Sequence, residues 1–189
     1  MIRITTSLIT LAALVACVAP NEPTVSENDV DRAFAEASAI SNLPQTSAFN
    51  LPTGAVTYTG QLGANVRGDA NGSILGDMSM NVGFASNTID GSISNINLID
   101  ANGTPNQRFD GRLQIDGVES SGSLDAFAFG QITGVDNDNV EVSSDVLLTL
   151  DGNVYDNFRR GDAVFGSATG DAVGDFNMDI EGVFFGTAD

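Results

Sequence analysis

The sequence contains no histidine, no lysine and no tryptophan, and it has a single cysteine. Without histidine the commonest general base is absent, and without lysine neither Schiff-base chemistry nor a phosphate-loop lysine is available. The serines, among them Ser120, Ser121, Ser143 and Ser144, therefore lack the usual partner base. The 25 acidic residues bring carboxylates together by chance, so a carboxylate pair is weak evidence of glycoside hydrolysis. The sequence predicts a protein that is not an enzyme, with no catalytic residue and no cofactor.

Positive charge is also scarce. The chain has seven arginines but 25 acidic residues, so its net charge is −18. Phosphate contacts need a positive surface, so we expect no nucleic-acid partner. An anionic lipid surface would repel the same charge, which favours a body that projects away from a membrane. High net charge also keeps proteins soluble, and that explanation needs no basic partner.

The one cysteine, Cys17, ends the run Leu14-Val15-Ala16-Cys17, which resembles the lipobox of bacterial lipoproteins. An apolar stretch over residues 4–14 precedes it and is too short to span a bilayer. The resemblance implies that residues 1–16 are a signal peptide and that Cys17 carries the lipid. Val18 stands where aspartate often retains lipoproteins in the inner membrane, which implies the outer membrane. The alternative is an ordinary secretory signal in which the cysteine is coincidental.

Residues 17–52 differ in composition from the rest, because all 21 glycines lie at Gly54 or later. We expect a tether, with a short helix that starts at an N-cap Ser26. Three residues at helical spacing, Val30, Phe34 and Ala37, predict the apolar face, and the helix would end before Pro44. The alternatives are a helix packed on the body and a mostly disordered spacer.

Residues 53–189 consist of short segments in which apolar and polar residues alternate, separated by clusters of Asn, Asp and Gly. Period-two alternation predicts half-buried antiparallel strands, about eight of them. Four turns are predicted at Asp69–Gly72, Ala101–Gly103, Val135–Asn139 and Leu150–Asn153. The glycines inside the strand patterns favour an all-β fold, an antiparallel up-and-down β-barrel narrow enough to be filled by its own side chains.

Three segments of this region resemble the transferrin-binding protein B β-barrel family. Leu51–Gly60 resembles its opening strand, Gly76–Gly91 its next hairpin, and Asn157–Gly186 its closing hairpin. In this sequence the last of these segments ends in Gly-Val-Phe-Phe-Gly. The sequence departs from the family pattern where Val164-Phe165-Gly166-Ser167 replaces an aromatic-Tyr-Gly-Pro piece and where Asp175 replaces a glycine. The chain has room for one barrel and no handle domain. The resemblance therefore implies a single-barrel lipoprotein, and transferrin binding is not carried over.

Two acidic loops have the alternating oxygen ligands that calcium prefers. Asp69-x-Asn71-x-Ser73 has the spacing of a calcium loop, and Asp136-Asn137-Asp138-Asn139-x-Glu141 is rich in oxygen atoms. No glutamate stands at the twelfth position from Asp69, where Met80 lies instead. Turn-forming residues account for both loops without a metal, and we predict no metal ligand.

Four phenylalanines are candidates for a binding face: Phe127, Phe129, Phe184 and Phe185. Phe184 and Phe185 must point to opposite sides if both lie on one strand. An outward phenylalanine would mark a surface for a partner, unless the tether helix covers it.

Together these features predict an outer-membrane lipoprotein, on the periplasmic face or the cell surface, that acts as a binding or accessory module. Its expected partners are the membrane through the lipid anchor and a nutrient- or host-related protein ligand, or an outer-membrane receptor or exporter. One alternative is a calcium-stabilised structural or adhesin-like surface module. Another is an integral outer-membrane β-barrel, against which the absent tryptophan and the two tyrosines argue.

Overall fold

The computed structural model describes residues 19–157 and 162–189. The predicted signal peptide (residues 1–16) and Cys17 lie outside the described residues, as does part of the predicted closing hairpin. These described residues form one helix and ten strands. The elements are α1 Glu27–Ser41, β1 Ala55–Gly68, β2 Gly72–Gly83, β3 Thr88–Asp100, β4 Pro105–Arg108, β5 Asp110–Gly111, β6 Leu113–Ser120, β7 Ser123–Val135, β8 Glu141–Tyr155, β9 Ala163–Gly174 and β10 Met178–Ala188.

Eight long strands close into an antiparallel barrel in the order β1-β2-β3-β6-β7-β8-β9-β10. β10 pairs with β1 in a continuous register from Tyr58 opposite Ala188 to Gly68 opposite Met178, which completes the ring. The short strands β4 and β5 pair with β3 and β7. The predicted all-β barrel of about eight strands is confirmed.

The barrel interior is filled by aliphatic and aromatic side chains from every long strand, and the alternation in the sequence places them there. At one end the rings of Phe109 and Phe176 stack with centroids 5.8 Å apart. At the other end Leu51, from the segment after the helix, packs against the interior cluster. The centre is therefore a packed core, as expected for a small barrel.

Three of the four predicted turns connect strands, at Asp69–Gly72, Ala101–Gly103 and Val135–Asn139. The fourth prediction, a turn at Leu150–Asn153, is wrong because β8 continues through it. A Cβ on Gly152 would lie 2.6 Å from Cζ of Phe184, so the glycine makes room for that ring in the interior. The actual β6–β7 turn is Ser121-Gly122, where both residues have positive φ, 54° and 91°, as a type I′ hairpin requires.

Helix α1 begins with a capping box in which the Asp29 N–H donates to Ser26 Oγ at 3.3 Å and the Ser26 N–H donates to Asp29 Oδ2 at 2.8 Å. The helix ends at Ser41, as predicted, and packs on the outer face of β1, β9 and β10. In the described part of the chain, no helix has the length and apolarity to cross a membrane.

The buried face of α1 differs from the predicted one. Ala33, Ala37 and Ile40 are buried against Phe185 and Ala163, whereas Phe34 is 77% exposed. The two alanines let the helix approach the barrel closely, and Phe34 follows Ala33 by about 100° of helical rotation and so points away. The expected face over Val30, Phe34 and Ala37 is therefore wrong at Phe34.

Chain segments on both sides of α1 are bound to the barrel. Before the helix, the Asn21 carbonyl accepts from Arg108 N–H at 3.0 Å, and Thr24 N–H donates to Asn97 Oδ1 at 2.8 Å. After it, the Pro44 carbonyl accepts from Asp156 N–H, and Thr46 N–H donates to the Val154 carbonyl, both at 2.9 Å. Of the two alternatives for this segment, the structure has the packed helix.

We expect Ile40→Ala to lower the free energy of unfolding by about 2–4 kcal/mol, because it leaves a cavity between α1 and the barrel. Phe34→Ala should change it by less than about 0.5 kcal/mol, because the ring is mostly in solvent. Urea denaturation of both variants measures the difference. Equal losses would contradict the docking face.

Candidate binding surfaces

Loops that connect β1–β2, β3–β4, β7–β8 and β9–β10 meet at one end of the barrel and surround a cleft of about 270 Å³. The structure brings both predicted calcium loops to this cleft, since Asp69, Asn71, Asp136 and Asn137 all line it. Asp100, which sequence reasoning did not single out, lies beside them. The arrangement is an acidic mouth above the stacked rings of the core.

The carboxylates of this mouth are occupied by backbone donors. Asp136 Oδ1 accepts from the N–H groups of Asp138 at 2.8 Å and Val140 at 2.9 Å. Asp69 Oδ2 accepts from Asn177 N–H at 2.7 Å. Among residues 19–157 and 162–189, no three acidic side chains are grouped as metal ligands would be. Asp136 therefore stabilises the turn in which it lies, and Asp69 joins the β1–β2 loop to the β9–β10 loop.

Asp100 forms a similar turn, in which its Oδ1 accepts from the N–H groups of Thr104 at 2.9 Å and Asn102 at 2.8 Å. The hydrogen bond from Thr104, followed by those from Asn102, holds the pKa of Asp100 below its ordinary value. The turn is thus stabilised most above the ordinary carboxyl pKa, and this support is lost as the pH falls through the lowered pKa.

We expect Asp136→Ala to lower the free energy of unfolding by about 1–2 kcal/mol, because two backbone donors lose their acceptor. Asp138→Ala is the matched control: it removes the same charge from the same loop, and in the described part of the chain the Asp138 carboxylate accepts no hydrogen bond. Thermal melting with calcium and with a chelator should give the same midpoint. A calcium-dependent rise that Asp136→Ala removes would contradict this assignment.

The four predicted phenylalanines lie in three different places. Phe184 fills the barrel interior and Phe185 is buried beneath α1, which confirms that the two point to opposite sides. Phe127 and Phe129 project outward from β7 and are 50% and 41% exposed. Only this second pair forms part of a solvent-facing surface.

Three exposed aliphatic residues extend the surface around Phe127 and Phe129. Leu147 on β8 lies directly opposite Phe129, and the outer faces of β6 and β9 add Val118 and Val173. We call these five residues the apolar patch. Sequence reasoning missed Leu147, although the run Val146-Leu147-Leu148 signals it, since one of three consecutive strand residues must point away from the other two.

Aspartates surround the apolar patch. Asp116 lies opposite Phe127 on β6, and Asp171 lies opposite Leu147 on β9. Asp125, Asp145 and Asp151 are exposed on the same outer face of β7 and β8. Strands β6 to β9 contain no basic residue, and the nearest in sequence is Arg112, one residue before β6. The patch is therefore apolar at its centre and acidic at its rim.

A second apolar surface is a groove of about 360 Å³ between α1 and the barrel wall. Its walls come from Val30 and Phe34 on the helix and from Leu75, Val183 and Phe185 on the barrel. Beside this groove the helix covers Phe185, which is 1% exposed.

The end of the barrel opposite the acidic mouth contains buried polar groups. Tyr58 is fully buried and its hydroxyl has no hydrogen-bond partner among the described residues. Glu119 is also buried and accepts from Gly122 N–H at 2.7 Å. Burial, with smaller effects of Asp162 and Glu119, raises the pKa of Tyr58 well above its ordinary value.

We expect the Tyr58 phenol to stay protonated until the protein unfolds. A raised folded-state pKa means that stability is intact below the unfolded-state value of about 10 and is lost as the pH rises above it. Phenolate absorbance in a Tyr155→Phe variant, which leaves Tyr58 as the only tyrosine, should therefore appear together with loss of circular dichroism. Reversible ionisation of the folded protein near pH 10 would contradict the burial.

Comparison of the chain with protein-family models, with curated proteins and with solved structures finds no match.

Proposed function

We propose that this protein is an outer-membrane lipoprotein whose barrel, resembling that of transferrin-binding protein B, is a binding or accessory module for a protein ligand. The observation that carries the proposal is the filled interior. Side chains from all eight long strands occupy the centre, so a ligand must bind on the outer surface or at the loops. A large ligand such as a protein suits that constraint better than a small molecule in a barrel cavity.

The position of Cys17 supports a lipid anchor close to the body. Asn21, the first of the described residues to be bonded to the barrel, follows Cys17 by four positions. Four residues span at most about 14 Å, so a lipid on Cys17 would hold the barrel next to the membrane surface. We therefore propose a free segment shorter than the expected tether of residues 17–52.

The polarity of the barrel favours a tethered body over an integral membrane barrel. Apolar residues face inward, and exposed acidic residues face outward around the ring, among them Asp77, Asp90, Asp125, Asp145 and Asp179. Transmembrane barrels have the reverse arrangement, because charged side chains on the lipid face are costly. The calcium-stabilised alternative gains no support, since backbone N–H groups already bond to these carboxylates: Asp136 accepts from its own turn, and Asp69 accepts from the β9–β10 loop.

The anchor is tested by cell fractionation. Wild-type protein should partition with the outer membrane, and its N-terminal peptide should begin at Cys17 with the mass of attached acyl chains. Cys17→Ser should lose membrane partitioning, whereas the neighbouring change Val18→Ser keeps the thiol and should stay in the membrane.

If the Cys17→Ser protein remains in the membrane after a carbonate wash, the anchor is wrong and the integral barrel is favoured. In a separate test, protease treatment of intact cells distinguishes a protein on the cell surface from one in the periplasm.

A further inference from the structure

We propose that the apolar patch on β6 to β9 docks a partner protein that presents an apolar centre with a basic rim. The inference rests on the proposed function as a binding module and specifies its surface and the chemistry of its partner.

The fold itself distinguishes the two apolar outer faces of the barrel. On β9, β10 and β1 the outward residue Phe185 is covered by α1 and is 1% exposed. On β7 and β8 no element of the described chain covers Phe127, Phe129 and Leu147, each at least 41% exposed. Such a contiguous exposed cluster is typical of an interaction site.

The rim selects the charge of the partner. Five exposed aspartates surround the patch on a face of β6 to β9 without a basic residue, and the whole chain carries −18. Two copies docked through this patch would bring the aspartates together, and a bilayer surface rich in anionic lipids would also be repelled. Lysine and arginine around an apolar centre match both features.

The size of the patch sets the strength to expect. Three strand spacings of about 4.8 Å and six residue steps of about 3.4 Å give a rectangle of roughly 14 Å by 20 Å that contains both the apolar patch and the five aspartates. That area, roughly 300 Å², is well below the approximately 800 Å² per partner of a standard interface. We therefore expect weak, reversible binding, to which the aspartates contribute strongly at low salt.

The first experiment uses as its probe an 18-residue amphipathic helix of leucine and lysine with a neutral dye. Fluorescence anisotropy measures its binding to the full-length protein in phosphatidylcholine nanodiscs, at low salt. Phe129→Ser with Leu147→Ser should weaken binding at least about tenfold, and so should Asp145→Asn with Asp171→Asn. The control Phe34→Ser, which changes an exposed phenylalanine on α1, should leave binding unchanged.

Three results would overturn the inference: equal binding by wild type and both patch variants, equal binding of a peptide with glutamate in place of lysine, or the same loss in Phe34→Ser. Unchanged circular dichroism of every variant confirms that folding is not the cause. If Cys17 carries no lipid, the same assay is run on the soluble protein. A failure of the proposed lipid anchor can therefore be distinguished from a failure of the proposed docking patch.

The second experiment replaces Phe129 with the photo-crosslinking residue p-benzoylphenylalanine in cells, with replacement of Phe34 as the control. An adduct formed only at Phe129, with a protein whose crosslinked peptide combines apolar and basic residues, supports the inference. A crosslink to a second copy of this chain, a lipid adduct, or no adduct at Phe129 overturns it.

Discussion

The pairing of β10 with β1 is the constraint on which the rest of the structure depends. Without it the sheet would have two long edges open to pairing with other chains. At this β1–β10 seam the two backbones approach closely. A Cβ on Gly60 would overlap the carbonyl oxygen of Phe185, and a Cβ on Gly182 would overlap the carbonyl oxygen of Gly63. Glycine at these two positions lets the last strand meet the first, and the ring closes around a core with no room for a ligand.

Closure of the ring also explains why helix α1 and its flanking segments pack on the barrel. Helix α1 lies over the seam, with Ala33 and Ile40 packed near Phe185 of β10, and the segments on either side bond to the barrel wall. The segment that leads to Cys17 is thus the one that covers the closing strands. Within residues 19–157 and 162–189, no element covers the side formed by β6 to β8, and the exposed phenylalanines Phe127 and Phe129 lie there.

The sequence predicts strands and closure well because both depend on local patterns, namely period-two alternation and glycines within strands. It fails where side-chain packing or a specific hydrogen bond decides. Gly152 looks like a turn residue, yet it lies in β8 because Phe184, 32 positions later, fills the space beside it. Phe34 looks like a buried helix residue, yet the alanines at 33 and 37 set the contact. The aspartates of the predicted calcium loops look like ligands, yet Asp136 accepts from its own turn and Asp69 accepts from the neighbouring β9–β10 loop.

Hydrogen exchange measured by NMR residue by residue tests closure most directly. If the ring is closed, the β1 amides that face β10, between Tyr58 and Gly68, exchange as slowly as those between β7 and β8 in the middle of the sheet. If these β1 amides instead exchange as fast as those of a free edge strand, the sheet is open and the filled, closed barrel is contradicted.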